Sequence, residues 1–585
     1  MSESIPEISS PPWWRVPILP LGDPQEDDKE PELQNQAWWR NAVIYQISPW
    51  SFLDTSGDGK GDLRGIVHRL DYISSLGVDA IWLTPIYESP MDDLGYDITD
   101  MRAVGDEFGT LEDFQHLLEI AHGMKLNVII DQVWNHTSSQ HPWFQESRSS
   151  RDNPKADWYV WADAKADGSP PNNWLSSLAG RSSWKWDAQR EQYYLFNFLE
   201  SQPDLNWYND DVIEAILKRA KFWLDLGVDG FRVDAVNYFL HDHQLRDNPP
   251  RPDGAPWPDG LDQENPLSSQ MLTYSFNRPE TPKRLRPIRE LVDQYPGVVT
   301  LGEVTLCEDS IQLASQYVQG SNRLHLAYHS GLLIDQPLTA DLMAQQLQKG
   351  MDNFKDWGGC WIVGNHDYGR LRCRWTGKDE EGNLYPEAFY RMTAALLICM
   401  PGAFCLWQGD ELGLPVAEIP SDIALDEIKD PFGQALYPEV EGRDGSRTPM
   451  PWTSQAPCGG FTTAKEPWLP IPDSHLERSV EHQHPDANSL LNTWRRLLHW
   501  RKDQPALAAG QLQGLTVEGT LLVFQRTMAA QSLLCVFNLS DQSAAYDLKS
   551  YGSCQAVRHL GYDFSLEGHR VELPSYGVFL GQISP

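Results

Sequence analysis

The stretch Gly230-Phe-Arg-Val-Asp-Ala235 decides the fold, because it has the form of a buried strand that ends on a charged pair. On a strand, residues i and i+2 point the same way, so Arg232 and Asp234 share one face. A fixed guanidinium keeps a neighbouring aspartate ionised and oriented, as a carboxylate nucleophile requires. Taken alone, the pair has two interpretations, a nucleophile or a structural ion pair, and the ion pair is the commoner one.

Three other apolar segments end on polar side chains in the same way. Asn135 and His136 come after the strand-like run 126–131, and Glu303 comes after the run 297–302. Asn365, His366 and Asp367 come after the run 360–364. Because the carboxyl ends of parallel strands meet at one edge of a sheet, these side chains are expected to form a single site.

Strand-like runs alternate with helical patterns and predict an α/β fold, a (β/α)8 TIM barrel. The predicted strands are residues 43–47, 80–83, 127–131, 230–233, 299–302, 324–329, 361–364 and 403–406. The predicted helices are residues 111–124, 212–226, 287–295 and 390–398.

The spacing of the strands predicts several added segments. Residues 137–207 separate strands three and four by far more than a loop and a helix need, which predicts an inserted subdomain after strand three. The barrel would then comprise residues 36–136 and 208–505, with a proline-rich lid or rim loop near 241–282 and another insertion near 413–468. Residues 506–585 predict a C-terminal antiparallel β-sandwich, and residues 1–35 predict a loosely attached extension.

The charge of the chain excludes some classes of partner. There are 82 acidic and 47 basic residues, and the net charge of −35 argues against nucleic acid or an anionic membrane. The longest apolar stretch, 394–407, is interrupted by Pro401 and Gly402, so we expect no membrane span, and the first residues do not resemble a signal peptide. These features predict a cytoplasmic protein that binds a neutral small molecule, and they leave the oligomeric state open between a monomer and a dimer.

Four motifs in order resemble those of glycoside hydrolase family 13, the α-amylase superfamily. They are Asp131-Gln-Val-Trp-Asn-His136, Gly230-Phe-Arg-Val-Asp234, Gly302-Glu303-Val304 and Asn365-His366-Asp367. Two further motifs resemble the oligo-1,6-glucosidase and α-glucosidase branch of that family, Gln202-Pro-Asp-Leu-Asn206 and Arg443-Asp-Gly-Ser-Arg447-Thr-Pro-Met-Pro-Trp452.

The resemblance implies a role for each carboxylate. Asp234 would be the nucleophile and Glu303 the acid and base of a retaining α-glucosidase, and Asp367 would bind sugar hydroxyls. Such a mechanism needs a raised pKa at Glu303, while Arg232 keeps the pKa of Asp234 low. The two histidines, His136 and His366, would donate hydrogen bonds to sugar hydroxyls.

The same resemblance implies how substrate is selected. Tyr96 would stack under the sugar, and Asp97 would pair with Arg443, or with Arg447 as second choice, to close the pocket behind a terminal glucose. In this branch, valine after the nucleophile accompanies α-1,6 activity and smaller residues accompany α-1,4 activity, so Ala235 favours short α-1,4 substrates. Transglucosylation is an expected side activity. The alternatives are a glucosyltransferase or isomerase of the sucrose isomerase or trehalose synthase type, and a non-catalytic binding protein of the same fold.

One loop has a residue pattern that predicts a metal site. Asp54, Ser56, Asp58, the Lys60 carbonyl and Asp62 alternate around a glycine-rich turn, a spacing that suits a hard cation. The loop also resembles the calcium loop of the same branch, which implies a structural Ca²⁺, with Mg²⁺ as the alternative ion. A plain Asp-Gly turn without metal is the competing interpretation.

Overall fold

Eight parallel strands close into a barrel, which confirms the predicted fold class. The strands are β1 (Val43–Ile47), β2 (Ala80–Leu83), β3 (Asn127–Gln132), β4 (Gly230–Val233), β5 (Val299–Val304), β6 (Leu326–His329), β7 (Gly359–Ile362) and β8 (Ala403–Trp407). Each strand pairs with the next and β8 pairs with β1. Nearly every strand residue is buried, as expected for parallel strands covered on their outer face.

The protein is represented by a computed structural model. It describes residues 37–178, 180–258, 261, 265–334, 336–354, 358–375, 385–418, 423–425, 427–437 and 442–584. The predicted extension over residues 1–35 lies outside the described residues. Residues 39–585 belong to one compact unit.

Helices surround the barrel and begin at sequence signals that could be recognised. The longer ones are Leu63–His68, Leu70–Leu76, Leu111–Gly123, Asp210–Leu226, Arg286–Val292, Ser310–Val318, Ala340–Asn353, Glu387–Cys399 and Leu490–Lys502. The helix before β3 starts with a capping box between Thr110 and Asp113. The helix before β4 starts at an Asn209 cap and ends at Gly227, whose φ of 101° favours glycine. Within the described ranges, no helix is long and apolar enough to cross a membrane.

The segment between β3 and β4 contains its own small sheet. Gln192–Leu195 is the central strand, flanked by Trp161–Ala162 and Trp184–Asp187. Trp174 and Trp184 pack in the apolar cluster beside this sheet. The sheet lies within the predicted inserted subdomain, although its exact limits stay a prediction.

Two sheets at the C-terminus form the predicted sandwich. One has the order β9 (Gln511–Glu518), β10 (Leu521–Met528), β11 (Gln531–Asn538), β16 (Val578–Ile583), β13 (Cys554–Ala556), and the other has the order β12 (Ala544–Asp547), β15 (Arg570–Leu573), β14 (Ser565–Glu567). Val523 and Val536 of the first sheet pack in one core with Val571 of the second. The chain turns between β9 and β10 at Gly519, whose φ of 62° favours glycine.

Candidate active site

Arg232 organises the carboxyl edge of the barrel. Its guanidinium is fully buried. Nη1 donates to Asp131 Oδ1 and Asp234 Oδ1, both at 2.7 Å. Nη2 donates to Glu303 Oε2 and to the Tyr328 hydroxyl, both at 2.5 Å. One side chain therefore holds the predicted nucleophile and the predicted acid at opposite ends of a planar cation.

The strands explain this convergence. Arg232 lies on β4 beside Asp131 of β3, and Glu303 of β5 lies beside Tyr328 of β6. Asp234 follows β4 directly, and its backbone N–H donates to the Gln132 carbonyl. Parallel pairing thus carries these side chains to one edge, as their positions at strand ends predicted.

Ala235 adds a backbone donor to Glu303. Its φ of 44° and ψ of 42° are left-handed, an uncommon conformation for a residue with a side chain. In this conformation the Ala235 N–H donates to Glu303 Oε2 at 3.0 Å. The turn after the nucleophile therefore also orients the predicted acid.

The pKa of Asp234 differs from the expectation. Burial raises this pKa well above that of an ordinary aspartate. Arg232 acts in the predicted, lowering direction, but the neighbouring carboxylates Glu303, Asp131 and Asp367 add to the rise. The prediction that Arg232 keeps the pKa of Asp234 low is therefore wrong in its net direction, because one guanidinium is shared among several carboxylates.

Asp367 has the opposite electrostatic environment. Burial alone would raise its pKa, but His366, Arg443 and Arg447 outweigh burial and lower the pKa well below the usual range. Arg443 Nη1 and Arg447 Nη2 donate to Asp367 Oδ1 at 2.7 and 3.0 Å. The Asn365 side chain accepts from the Asp367 N–H at 2.8 Å and fixes the turn that presents the carboxylate.

Tyr96 connects two parts of the site. Its hydroxyl donates to Asp131 Oδ2 at 2.9 Å and lies 2.7 Å from His366 Nε2. The Tyr96 and His366 rings stack at 5.2 Å with an interplanar angle of 4°. Tyr96 also lines the pocket, and its predicted stacking under the sugar stays a prediction.

His136 is neutral at physiological pH, because burial lowers its pKa to about 4. Its Nε2 lies 3.0 Å from the Tyr96 carbonyl, and its Nδ1 lies 3.3 Å from Asn135 Nδ2. Both ring nitrogens are thus engaged by the protein. The predicted donation from His136 to a sugar hydroxyl would need a shared hydrogen bond.

Asp97 does not pair with either predicted arginine. It is fully buried and accepts from Ser89 Oγ, Asp92 N and Asp93 N at 2.8 to 3.1 Å. Burial raises its pKa to about 6, although these hydrogen bonds act in the opposite direction. Asp97 instead shapes the loop that carries Asp93.

Asp93, and not the predicted Asp97, is the residue of this loop that pairs with Arg443. Arg443 Nη2 donates to Asp93 Oδ1 at 2.8 Å, and the same guanidinium binds the fully buried Asp430 at 2.6 Å. Gln202, from the Gln202–Asn206 motif, donates to the other oxygen of Asp93 at 3.1 Å. Our predicted site omitted Asp93, Asp430, Gln202, Asp131 and Tyr328. Asp131 and Gln202 stand in recognised motifs, which could have identified them.

A pocket opens above these groups. It encloses about 1030 Å³, including its open mouth. Its polar lining consists mainly of Asp93, Tyr96, His136, Asp234, Glu303, Asp367 and Arg443. Its apolar lining consists of Leu178, Phe198, Ala235, Tyr238, Leu261, Leu306 and Phe432. Arg232, His366, Asp97 and Arg447 do not line this pocket and act through the residues that do.

The 54–62 loop closes on itself through hydrogen bonds. Asp54 accepts from the N–H groups of Gly57 and Gly59 at 2.8 Å, and from Thr462. Asp62 accepts from Thr55 N and caps the next helix through Gly65 N. Within the described ranges no group of three or more His, Cys, Asp or Glu side chains could hold a metal ion. The predicted ligand set also includes the Ser56 hydroxyl and the Lys60 carbonyl, so calcium binding at this loop stays a prediction.

The barrel, its edge of carboxylates and the pocket above them define a class of glycan-cleaving barrel enzymes, and comparison with known proteins gives the family. Residues 46–510 match the alpha amylase catalytic domain, and residues 514–580 match the maltogenic amylase C-terminal domain. The chain belongs to the α-amylase family of glycoside hydrolases, family 13.

Relatives of known name match along nearly the whole chain. A probable alpha-glucosidase of Rhizobium meliloti is 44% identical over 545 residues, covering 93% of this chain and 97% of the relative. An oligo-1,6-glucosidase of Halalkalibacterium halodurans is 37% identical, covering 85% and 90%. The crystal structure of an alpha-glucosyl transfer enzyme is 46% identical, with a TM-score of 0.88 over 94% of this chain and 99% of that one. The trehalulose synthase of Pseudomonas mesoacidophila is 29% identical, with a TM-score of 0.80 over 93% and 99%.

Proposed function

We propose that this enzyme is a retaining, exo-acting α-glucosidase that releases terminal glucose from short α-glucosides. The observation that carries the proposal is the ion-pair wall of Arg443 with Asp93, Asp367 and Asp430. This wall borders the same pocket as Asp234 and Glu303. A pocket with such a wall accepts one chain end, so the enzyme removes one glucose at a time.

The mechanism uses two carboxyl groups in turn. Asp234 attacks the anomeric carbon, while Glu303 gives its proton to the leaving oxygen as that bond breaks. Water then attacks the glucosyl-enzyme, gives its proton to Glu303 and frees Asp234. Arg232 contacts both carboxylates, so it keeps them oriented through both steps. Asp367, bound by two arginines, is held ionised to accept hydrogen bonds from hydroxyls.

Asp234→Asn tests the mechanism. We expect a loss of several orders of magnitude in kcat, because covalent catalysis has no substitute for the nucleophile. Unchanged thermal unfolding would show that the variant is folded. Turnover near that of the wild type would contradict the assignment of Asp234.

Ala235 supports a preference for α-1,4 linkages. Its side chain lines the pocket and packs in a cluster with Tyr238, Leu267 and Phe276 on the aglycone side. A small side chain at this position leaves room beside the leaving group. Glucose release from maltose, isomaltose, sucrose, trehalose and glucosyl-polyols is the test, and isomaltose as clearly the best substrate would contradict this preference.

Transfer of glucose to an acceptor other than water is the second candidate activity. Support comes from the apolar half of the pocket, lined by Phe198, Tyr238, Leu306 and Phe432 among others, and from the likeness to an alpha-glucosyl transfer enzyme. Product analysis with maltose or sucrose separates the outcomes. Hydrolysis gives free glucose, transfer gives a new glucoside, and isomerisation returns a disaccharide.

We also propose that calcium binds at the 54–62 loop, in a structural rather than a catalytic role. Binding would require Asp54 and Asp62 to release part of their present hydrogen bonds. The test compares thermal unfolding after chelator treatment with unfolding in added Ca²⁺ or Mg²⁺. A higher Tm with calcium would support the site, whereas equal Tm values in all three conditions would exclude it. Cytoplasmic location and the oligomeric state likewise stay predictions.

A further inference from the structure

The described part of the predicted lid, residues 241–258, 261 and 265–282, is attached to the inserted subdomain that lies between β3 and β4. The two legs of the lid pair with each other through an antiparallel bridge between Pro250 and Gln270. Beyond this bridge, the lid contributes Leu261 and Asn265 to the lining of the pocket. The position of the lid therefore affects the shape of the pocket.

A row of hydrogen bonds joins the lid to residues 172–174 of the inserted subdomain. They are Asn172 Nδ2 to Leu245 O (3.2 Å), Asn173 N to Asp247 Oδ1 (3.0 Å), Trp174 Nε1 to Arg246 O (2.9 Å) and Gln270 Nε2 to Asn173 O (2.8 Å). Residues from both legs of the lid take part. The attachment is therefore a continuous seam rather than one contact.

The side chain of Asn173 is the centre of this seam. Its Oδ1 accepts from the Asn248 N–H at 2.8 Å, and its Nδ2 donates to the Asn248 carbonyl at 2.9 Å. One amide thus satisfies both backbone groups of a lid residue, as a neighbouring strand would. Asn248 is buried, and its own side chain donates to Gln270 Oε1 and Ser275 Oγ. Fixing Asn248 therefore fixes both legs.

Below the seam, the lid packs on the aglycone side of the pocket. Leu267, Leu272 and Phe276 of the lid form one apolar cluster with Ala235 and Tyr238 of the barrel. Leu175 and Phe198 of the inserted subdomain pack against the same cluster. Outward movement of the lid would widen the space beside Ala235 without touching the Arg443 wall.

We propose that Asn173 is a specificity-determining residue that sets the size of the aglycone by holding the lid against the inserted subdomain. The inference rests on the proposed glucosidase function, since it concerns the leaving-group half of the same pocket. Asn173 itself is exposed and contacts no predicted catalytic group, so it acts through the lid.

Asn173→Ala removes both side-chain hydrogen bonds to Asn248. We expect the ratio of kcat/KM for maltotriose to kcat/KM for maltose to rise about three- to tenfold, the range for loss of one or two hydrogen bonds. Amide hydrogen exchange over residues 245–251 should also accelerate. An unchanged substrate ratio in the folded variant overturns the proposal, whatever the exchange rates.

Asn353→Ala is the matched control. Asn353 is a half-buried asparagine at a helix end, far from the lid in sequence, whose side chain donates to the Lys349 carbonyl, and neither readout should change in this variant. If Asn173→Ala does not fold, Asn173→Asp keeps the Oδ1 acceptor, loses the Nδ2 donor and is expected to change the ratio in the same direction. Wild-type enzyme that releases no glucose from maltose would refute the proposed function instead, while the exchange measurement, which needs no substrate, still tests the lid attachment.

Discussion

Arg232 shows how much depends on a single side chain. Its two terminal nitrogens donate to Asp131, Asp234, Glu303 and Tyr328, and the guanidinium is fully buried. In a low-dielectric environment such charge-assisted hydrogen bonds are strong and directional. The position of the guanidinium therefore determines the positions of both reacting carboxylates.

Tyr328 positions this guanidinium from the sixth strand. Tyr328→Phe removes the hydroxyl that accepts from Arg232 Nη2 and should lower kcat/KM about tenfold, equal to about 1.4 kcal/mol. The Tyr317→Phe variant is the control, since Tyr317 is a fully buried tyrosine that does not line the pocket. Equal kcat/KM in wild type and Tyr328→Phe would show that the hydroxyl has no positioning role.

The raised pKa of Asp234 predicts the acid side of the pH profile. Burial and nearby carboxylates favour the protonated form, and a protonated Asp234 cannot attack. As pH falls, kcat/KM should therefore decline at a pH above that of an ordinary aspartate, near 3.9. The measurement is kcat/KM over pH 3 to 9, and a decline that begins only near pH 4 would contradict the shift.

At the scale of an element, the loop between β2 and the strand Asp100–Val104 contains two aspartates that make different contacts, Asp93 and Asp97. Asp93 pairs directly with Arg443 in the pocket wall, whereas Asp97 accepts hydrogen bonds from within its own loop. Because the two residues are close in sequence, the sequence alone does not show which of them pairs with Arg443. Only the path of the loop shows which carboxylate reaches the arginine.

Variants of the two aspartates should behave differently. Asp93→Asn weakens the wall and should raise KM for maltose about tenfold with little change in Tm, because the partner charge is lost at the pocket. Asp97→Asn places an amide among three donors inside the loop and should lower stability by about 1–3 kcal/mol. Kinetics and thermal unfolding of both variants are the measurement, and equal effects on KM would contradict the assignment.

The elements also show what sequence patterns can predict. The strand-end positions of Asp234, Glu303 and Asp367 were readable, because parallel strands and period-two alternation fix where such residues go. The pairing of Arg443 with Asp93 could not be predicted from the sequence, because the two residues lie on loops that are far apart in sequence. The direction of the pKa shift of Asp234 also could not be predicted from the sequence pattern, because it depends on the combined effect of burial and several neighbouring charges.

On the scale of the whole molecule, buried histidines weaken the fold as pH falls, whereas buried carboxyl groups with a raised pKa, such as Asp97 and Asp204, act in the opposite direction. Burial lowers the pKa of six histidines to about 3 or 4, namely His136, His141, His241, His325, His329 and His475. Their pKa in the unfolded chain is near 6.5, so below that pH the unfolded state binds more protons. The stabilisation is complete above pH 6.5 and is lost as pH falls toward 4.

The contribution of these histidines to stability should therefore fall between pH 7 and pH 5. Each of these histidines favours the unfolded chain by about 1–2 kcal/mol at pH 5, in order of magnitude. His141→Gln, which cannot titrate, should show a smaller drop in Tm over this range than the wild type. An equal change in Tm between pH 7 and pH 5 in His141→Gln and in the wild type would contradict the prediction.

The wall formed by Arg443 and Asp93 also has a kinetic consequence under the proposed mechanism. If the glucose end of the pocket is closed, entry and exit share one mouth, so the leaving group departs first and glucose departs last. Water and any acceptor must arrive through the opening that the leaving group vacates. Free glucose is then expected to compete with substrate, and the lifetime of the glucosyl-enzyme decides how often an acceptor arrives before water.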